Sequence, residues 1–310
     1  MPVGALTTAE MGPQHLRHLG IKPRTLKLYR TEVALFFEHL QLHRLELPDN
    51  FQELDQLLAE YINHLFQEGE SISRAGWLLS GFKRLYPRVR RELCIASQWY
   101  MNWTRSHTPE RATPITWRIL RAGVGLCFDE GWYHLGTVLL LGFTFMLRTN
   151  EFLMLKKSDI SFQGSATIML RLAAAKTAKQ FEQSLVFDDE IVVKLVKKGL
   201  EEIRSDWIWP FSTSYFRKCF HAIHRFMGLE KLELVPYSLR RGSATHFYQF
   251  FRNLDFVMIQ GRWRDQRTAR LYLDDARASL IKHQDLYNAT GHLKSYLRVF
   301  HRLANGAASG

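Results

Sequence analysis

The uncharged run TVLLLGFTFML, residues 137–147, is the feature that most constrains the fold of this chain. A helix needs about 20 apolar residues to span a bilayer, so this run is too short for a membrane segment. It predicts a helix buried in the core of a domain, and it ends directly on Arg148. The 310 residues are enough for two domains of ordinary size, each with its own core.

Positive charge is the second constraint, because the formal net charge of the chain is +12 at pH 7. A charge of this sign favours a polyanionic partner, with nucleic acid ahead of a membrane surface. One basic cluster is typical of a solvated helix face, but several along one chain favour an extended anionic ligand. The clusters lie at 83–91, 194–198, 216–225 and 261–270. The candidate nucleic-acid contacts are Lys83, Arg84, Arg88, Arg241, Arg262 and Arg264.

The three cysteines, Cys94, Cys127 and Cys219, are odd in number and far apart. This pattern predicts a reducing, intracellular environment and argues against a disulfide framework. His221 and His224 stand at i and i+3, which invites a metal interpretation. No third ligand stands at a suitable spacing, so we expect packed or solvated histidines and no metal site. We also expect no membrane partner.

Hydrophobic periodicity predicts an all-helical first domain at residues 24–108. In RTLKLYRTEVALFFEHLQLH the apolar residues recur at helical spacing, and the pattern returns in three further segments before about residue 105. Residues 1–23 lack a strong period and are interpreted as a loose arm. The segment 105–115 holds two prolines and no apolar period, which is typical of a linker. A second domain then extends over 109–303, with a tail at 304–310.

The second domain opens with helices predicted around 115–129, 132–146 and 149–157. The period then changes, because SATIMLRL and QSLVFDD are short segments typical of strands. They predict a β-hairpin that carries Lys176 near its tip, followed by further helices. The expected fold class is therefore mainly α with a small antiparallel β-hairpin or sheet, an α+β arrangement.

Four residues of this second domain form a set with coherent chemistry: Arg148, Lys176, Arg240 and Tyr272. Phosphoryl transfer concentrates negative charge on non-bridging oxygens, and the planar fork of arginine stabilises that charge. A lysine with a lowered pKa can protonate a departing alkoxide, and a tyrosine hydroxyl near cations can attack phosphorus. The set could make and break a phosphotyrosyl link to DNA, although composition and spacing alone do not establish it.

The order and local context of these residues resemble the tyrosine recombinase (phage integrase) family, including its Cre-like members. GFTFMLRTNEFLMLKKSDI is similar to the first arginine box of the family, and PYSLRRGSATHF to the second. GRWRDQRTARLYL is similar to the segment that ends on the nucleophilic tyrosine, in a form that resembles recombinases of mobile elements. The hairpin resembles the lysine-bearing hairpin of Cre-like enzymes. Together the resemblance covers about residues 115–280, and the helical first domain is similar to the family's core-binding domain.

The resemblance implies a site-specific DNA recombinase that works through a 3′-phosphotyrosyl intermediate. Arg148 and Arg240 would clamp the scissile phosphate, and Tyr272 would form the covalent link. Lys176 would protonate the leaving 5′ oxygen, with Lys179 as the alternative. The implied partners are double-stranded DNA and further copies of the chain in a tetrameric synapse.

Two further residues take supporting roles by the same resemblance. Trp263 would donate its indole N–H to the phosphate, and its alternative is a plain core anchor. Glu151 would orient the first arginine or its helix. The resemblance implies neither a metal nor a nucleotide cofactor, and it places the protein in a nucleus or a nucleoid.

Tyr237 is the departure from the family pattern, since most members have histidine at this position. Tyrosine can donate one hydrogen bond but does not readily shuttle a proton at neutral pH. Either the hydroxyl keeps the hydrogen bond or the enzyme is impaired, and we favour retained activity. The other readings that stay open are a catalytically impaired DNA-binding relative and an all-helical interaction scaffold.

Overall fold

The computed structural model describes residues 20–46, 48–107, 112–172, 183–270, 273 and 291–306. Lys176, Lys179 and Tyr272 lie outside these described residues. The chain divides into two compact units, Met1–Glu110 and Arg111–Gly310. No helix among the described residues is both long enough and apolar enough to span a membrane.

Amphipathic helices build the first unit, and α1 packs on α3 while α2 packs on α4. Their apolar stripes meet in a core that contains Phe36, Leu58 and Phe82, all fully buried. The predicted helical character of this unit is confirmed. The helices are α1 (Pro23–Leu42), α2 (Phe51–Gln67), α3 (Ile72–Leu85) and α4 (Cys94–Ser106), with a 3₁₀ turn at Pro87–Arg91.

Asp55 is a buried carboxylate in this first core. It lies on α2, but its two oxygens accept hydrogen bonds from the backbone N–H groups of Ile95 (2.7 Å) and Ala96 (2.9 Å) in the first turn of α4. Leu93, the N-cap residue of α4, supplies no side-chain cap. Asp55 therefore caps α4 from another helix, and this contact fixes the two helices against each other.

The second unit combines helices with a small antiparallel sheet. The sheet has the order β1-β2-β3, and Ile168 of β2 pairs with Phe187 of β3. The strands are β1 (Ile160–Gln163), β2 (Thr167–Leu172) and β3 (Gln183–Asp188). The helices are α5 (Trp117–Asp129), α6 (Tyr133–Thr144), α7 (Thr149–Phe152), α8 (Glu190–Glu202), α9 (Thr213–Phe226), α10 (Tyr237–Phe251), α11 (Leu254–Gly261) and α12 (Gly291–Asn305).

Helix α6 is the centre of this unit, because every residue from Leu135 to Leu147 is buried. Helices α5, α8 and α10 pack around it. The prediction that the run 137–147 forms a buried helix is confirmed, and so is the fold class.

Two local expectations differ from the structure. The helix predicted over 149–157 is wrong, because α7 has only four residues. The chain beyond it pairs instead with a distant segment: Ile208 N–H donates to the carbonyl of Leu155, and Lys157 N–H donates to that of Asp206. Strand β1 was not predicted either, because its four residues are too few to display a clear alternation.

Replacing Asp55 with alanine should lower the free energy of unfolding by about 2 kcal/mol, because it leaves two N–H donors of α4 without a charged acceptor. Urea unfolding of the full chain measures the loss, and amide hydrogen exchange at Ile95 and Ala96 should accelerate. Glu60→Ala, at an exposed position of the same helix, is the matched control and should change stability by less than about 0.5 kcal/mol. Equal stability of the two variants would contradict the capping role.

Candidate active site

The site begins where α6 ends. Met146 N–H donates to the carbonyl of Phe143, and Leu147 N–H donates to that of Gly142, which closes the helix. Met146 takes a left-handed conformation with φ of 47°, a region that favours glycine. The turn directs the Met146 carbonyl towards Arg240 and brings Arg148 out of the core as the N-cap residue of α7.

Arg148 and Glu151 form a two-point contact across the first turn of α7. The backbone N–H of Arg148 donates to Glu151 Oε2 at 2.7 Å, and its Nη1 donates to Oε1 at 2.8 Å. The Arg148 side chain is 40% exposed, whereas the Glu151 side chain is only 13% exposed. The carboxylate therefore orients an arginine whose guanidinium still reaches solvent, and the support role of Glu151 stays a prediction.

Arg240 lies in the first turns of α10 and is 1% exposed. Its guanidinium donates to the backbone carbonyl of Met146 and to that of Gly261, the latter at 2.5 Å. The guanidinium carbon Cζ lies over the ring of Trp263, 4.6 Å from the ring centroid, which is a cation–π contact. These contacts fix the orientation of a buried cation through neutral groups.

Gly242 explains how α10 reaches this position. A β-carbon at Gly242 would collide with the carbonyl oxygen of Ile115, so only glycine permits this close approach. A hydrogen bond joins the same two segments, because Ile115 N–H donates to the carbonyl of Ser238 at 3.1 Å. The glycine that follows the two arginines in the sequence therefore serves to seat Arg240.

The segment Gly261-Arg262-Trp263 closes the other side of the site. Arg262 ends α11 in a left-handed conformation with φ of 56°, and Trp263 N–H donates to the carbonyl of Met258 at 2.9 Å. The tryptophan ring thereby folds back over Gly261, where any β-carbon would overlap the ring. Trp263 is 9% exposed and packs on Arg240, so in this structure it has both a packing role and a place at the site.

Arg262 lies inside the site, although its place in a basic cluster predicted only a general nucleic-acid contact. Its Nη2 donates to Glu151 Oε2 at 2.5 Å, and its side chain is 8% exposed. Burial lowers the pKa of Arg262 to about 10; Glu151 opposes this shift, while the nearby charges of Arg240 and Arg148 add to it. Among the described residues, two guanidinium groups therefore share one carboxylate and a third lies nearby, a surplus of positive charge suited to an anion.

The remaining predicted contacts lie in different settings. Arg241 is buried beside Arg240 and does not form part of the surface. Tyr237 is exposed at the first residue of α10, three positions before Arg240. Arg264 is exposed immediately after Trp263.

In the first unit, the predicted nucleic-acid contacts differ in their exposure. Lys83 Nζ donates to Ser97 Oγ at 2.9 Å, and Arg84 is half-buried. Arg88 is exposed on the 3₁₀ turn.

Two histidines of the second unit have lowered pKa values, and neither belongs to the arginine cluster of the site. The half-buried His246 stacks on Trp117, with ring centroids 5.4 Å apart. The fully buried His224 donates from Nδ1 to the carbonyl of Phe220 at 2.6 Å. Burial lowers the pKa of each histidine to about 4, and the charge of Arg121 adds to the effect at His246. Among the described residues, no group of three or more His, Cys, Asp or Glu side chains could hold a metal ion.

The comparisons with known proteins agree with this architecture. Residues 131–278 match the model of the phage integrase family, so this part of the chain is a domain of that family. No curated protein sequence matches the chain at a significant level.

Solved recombinase structures share the fold. The XerH site-specific recombinase, in a post-cleavage complex with palindromic difH substrate, superposes with a TM-score of 0.59 at 14% identity, over 84% of this chain and 79% of that chain. A lambda integrase dimer bound to a COC′ core site gives 0.56 at 17% identity, over 84% and 92%. The Tn1549 transposon integrase, in complex with circular intermediate DNA, gives 0.54 at 13% identity, over 83% and 98%. The chain therefore has the tyrosine recombinase fold.

The buried imidazole of His224 makes stability depend on pH with a definite sign. The folded protein holds His224 with a pKa of about 4, whereas the unfolded chain has the ordinary value of about 6.5. Between these values the unfolded state binds the additional proton, so stability should fall as the pH falls from about 6.5 towards 4. His224→Gln should flatten this decline in urea unfolding measured at successive pH values.

His221→Gln is the matched control, since His221 is exposed one turn before His224. This control should leave the pH dependence of the unfolding free energy unchanged. An identical decline in wild type and His224→Gln would contradict the buried neutral state of His224.

Proposed function

We propose that the chain is a site-specific DNA recombinase that cleaves and rejoins DNA strands through a 3′-phosphotyrosyl intermediate. One observation carries the proposal: Arg148, Glu151, Arg240 and Trp263 come from distant parts of the chain and meet in one site. The surplus of positive charge in this site suits a phosphodiester, and the site lies in a domain of the phage integrase family.

In the proposed reaction, Arg148 and Arg240 bind the non-bridging oxygens of the scissile phosphate and neutralise the charge that grows there. The hydroxyl of Tyr272 releases its proton to solvent as its oxygen attacks phosphorus, a new P–O bond to tyrosine forms, and the bond to the 5′ oxygen breaks. Lys176, or Lys179 in its place, gives the proton that the 5′ oxygen requires. The free 5′ hydroxyl of a partner strand then reverses these steps. Each step exchanges one phosphoester bond for another and conserves its energy, so rejoining needs no nucleotide cofactor.

Double-stranded DNA is the proposed partner, bound by more than one copy of the chain. The similar solved structures support this, because the XerH and Tn1549 proteins were solved with DNA and lambda integrase was solved as a tetramer bound to a Holliday junction. The net charge of +12 and the exposed Arg88 and Arg264 are consistent with contacts to a polyanion.

A catalytically impaired DNA-binding relative is the second candidate, and Tyr237 is the observation that favours it. The residue stands where most family members have histidine, and a phenol is a poor proton shuttle at neutral pH. Tyr237 is exposed on the first turn of α10, and a phenol can donate one hydrogen bond to a phosphate even though it does not shuttle a proton. We therefore favour the active enzyme.

A covalent capture experiment with randomised DNA tests the reaction and needs no chosen target sequence. The protein is incubated with a pool of nicked duplexes whose central base pairs are randomised, and protein-linked DNA is recovered after denaturation. We expect adducts with the wild type and none with Tyr272→Phe, because the phenolic oxygen is the nucleophile. Tyr248→Phe, on α10, is the matched control and should form adducts normally.

Absence of adducts from the wild type would contradict the enzyme, provided that the same preparation binds duplex DNA. Adducts that persist in Tyr272→Phe would contradict the assignment of the nucleophile.

Replacing Tyr237 with histidine tests whether this chain lacks a proton-transfer group. General acid–base catalysis contributes about 10²–10⁴-fold, so Tyr237→His should raise the rate of adduct formation by at least about tenfold if that function is missing. Tyr237→Phe removes only the hydroxyl and should lower the rate if the tyrosine donates a hydrogen bond to the phosphate. A lower rate in Tyr237→His than in Tyr237→Phe would contradict the missing-shuttle interpretation.

A further inference from the structure

We propose that Arg262 binds the scissile phosphate directly, as a third arginine of the active site beside Arg148 and Arg240. The inference rests on the proposed function, because it names a further residue for the same phosphate. Arg262 would be a catalytic residue, since its guanidinium would contact the non-bridging oxygens while the bond to the 5′ oxygen breaks and the bond to tyrosine forms.

The hydrogen bonds of Arg262 are the first reason. Its Nη2 is used by Glu151, but its Nε and Nη1 are buried and have no hydrogen-bond partner among the described residues. Leaving buried donors of a charged group unpaired destabilises the folded protein. An unpaired buried donor in a folded protein needs an explanation, and here we infer that a ligand accepts its hydrogen bond during function. At the centre of an arginine cluster, that partner is an anion.

The distribution of charge around Glu151 is the second reason. One carboxylate oxygen accepts from Arg148 and the other from Arg262, so a single negative charge serves both arginines. The positive charges of Arg240 and Arg148 lie near Arg262 and add to the lowering of its pKa. A bound phosphodiester would place negative charge beside Arg262 and would offset the desolvation that lowers this pKa.

The backbone of Arg262 is the third reason. Its φ of 56° lies in the left-handed region, where glycine is the favoured residue at the end of a helix. An L-residue is destabilised in this conformation because its β-carbon lies too close to the following carbonyl oxygen. This backbone conformation places the guanidinium of Arg262 against Glu151. Strained backbone at such a position is typical of a functional side chain.

The competing explanation is a positioning role, in which Arg262 only holds Glu151 and thereby orients Arg148. The two roles differ in one measurable respect. A residue that acts only by orienting Arg148 has no further effect once Arg148 has been replaced, whereas a residue that binds the phosphate itself still contributes in that background.

The test uses a duplex of a sequence recovered by covalent capture and compares Arg262→Gln in the wild-type and in the Arg148→Gln background. Arg262→Gln should reduce adduct formation in the wild-type background by about 10²-fold or more. In the Arg148→Gln background it should still reduce adduct formation by about tenfold or more. Arg302→Gln, which removes an exposed charge paired with Asp129, is the matched control and should have no effect in either background.

Absence of any effect of Arg262→Gln in the Arg148→Gln background would overturn the proposal and establish the positioning role. If Arg262→Gln does not fold, as judged by its circular dichroism and melting, Arg262→Lys takes its place. Lysine keeps the charge but loses the planar fork, so it should lower adduct formation in both backgrounds.

Failure of the proposed function would be seen separately, as a wild type that forms no adduct. Binding of a duplex of about 30 base pairs at several salt concentrations then decides the inference without cleavage. Arg262→Gln should lower the slope of log affinity against log salt by about 0.9, the value for one phosphate contact, relative to Arg302→Gln. Equal slopes for the two variants would overturn the proposal.

Discussion

The burial of the Arg240 guanidinium between two backbone carbonyls is the interaction on which the rest of the site depends. Met146 and Gly261 provide these carbonyls from opposite sides, and neither is a carboxylate. These carbonyl dipoles fix the orientation of the buried guanidinium before any ligand binds. A cation held in a fixed orientation loses little entropy when it binds an anion, which suits the proposed phosphodiester.

The backbone around Arg240 is shaped to provide these contacts. Met146 and Arg262 both take left-handed conformations, one at the end of α6 and the other at the end of α11. Gly242 lets α10 approach Ile115, and Gly261 leaves room for the ring of Trp263. Strain and close packing therefore collect at the two helix ends that contact the arginine, as is typical of functional sites.

Much of this arrangement could be predicted from the sequence, because the signals were local. The run 137–147 is apolar throughout its length, and Arg148 and Glu151 stand at the helical spacing that permits an ion pair. The strands β2 and β3 also had a clear composition. The roles of Lys176 and Tyr272 in the site stay predictions from the resemblance, since these residues lie outside the described part of the chain.

The features that the sequence did not reveal depend on tertiary contacts. Helix α7 ends early because residues 155–157 pair with a segment about fifty residues away, which no local period reveals. Arg262 looked like one more basic residue in the cluster 261–270, because its contact with Glu151 joins positions 111 residues apart. The one available signal was its place between Gly261 and Trp263, where a charged residue follows a glycine that the fold requires.

A crystal structure of Tyr272→Phe bound to a captured duplex would test the central claim most directly. We expect non-bridging oxygens of the scissile phosphate within about 3.2 Å of guanidinium nitrogens of Arg148 and Arg240. A duplex bound elsewhere on the protein, with Arg148 held only by Glu151 and no phosphate oxygen near Arg240, would contradict the proposed site.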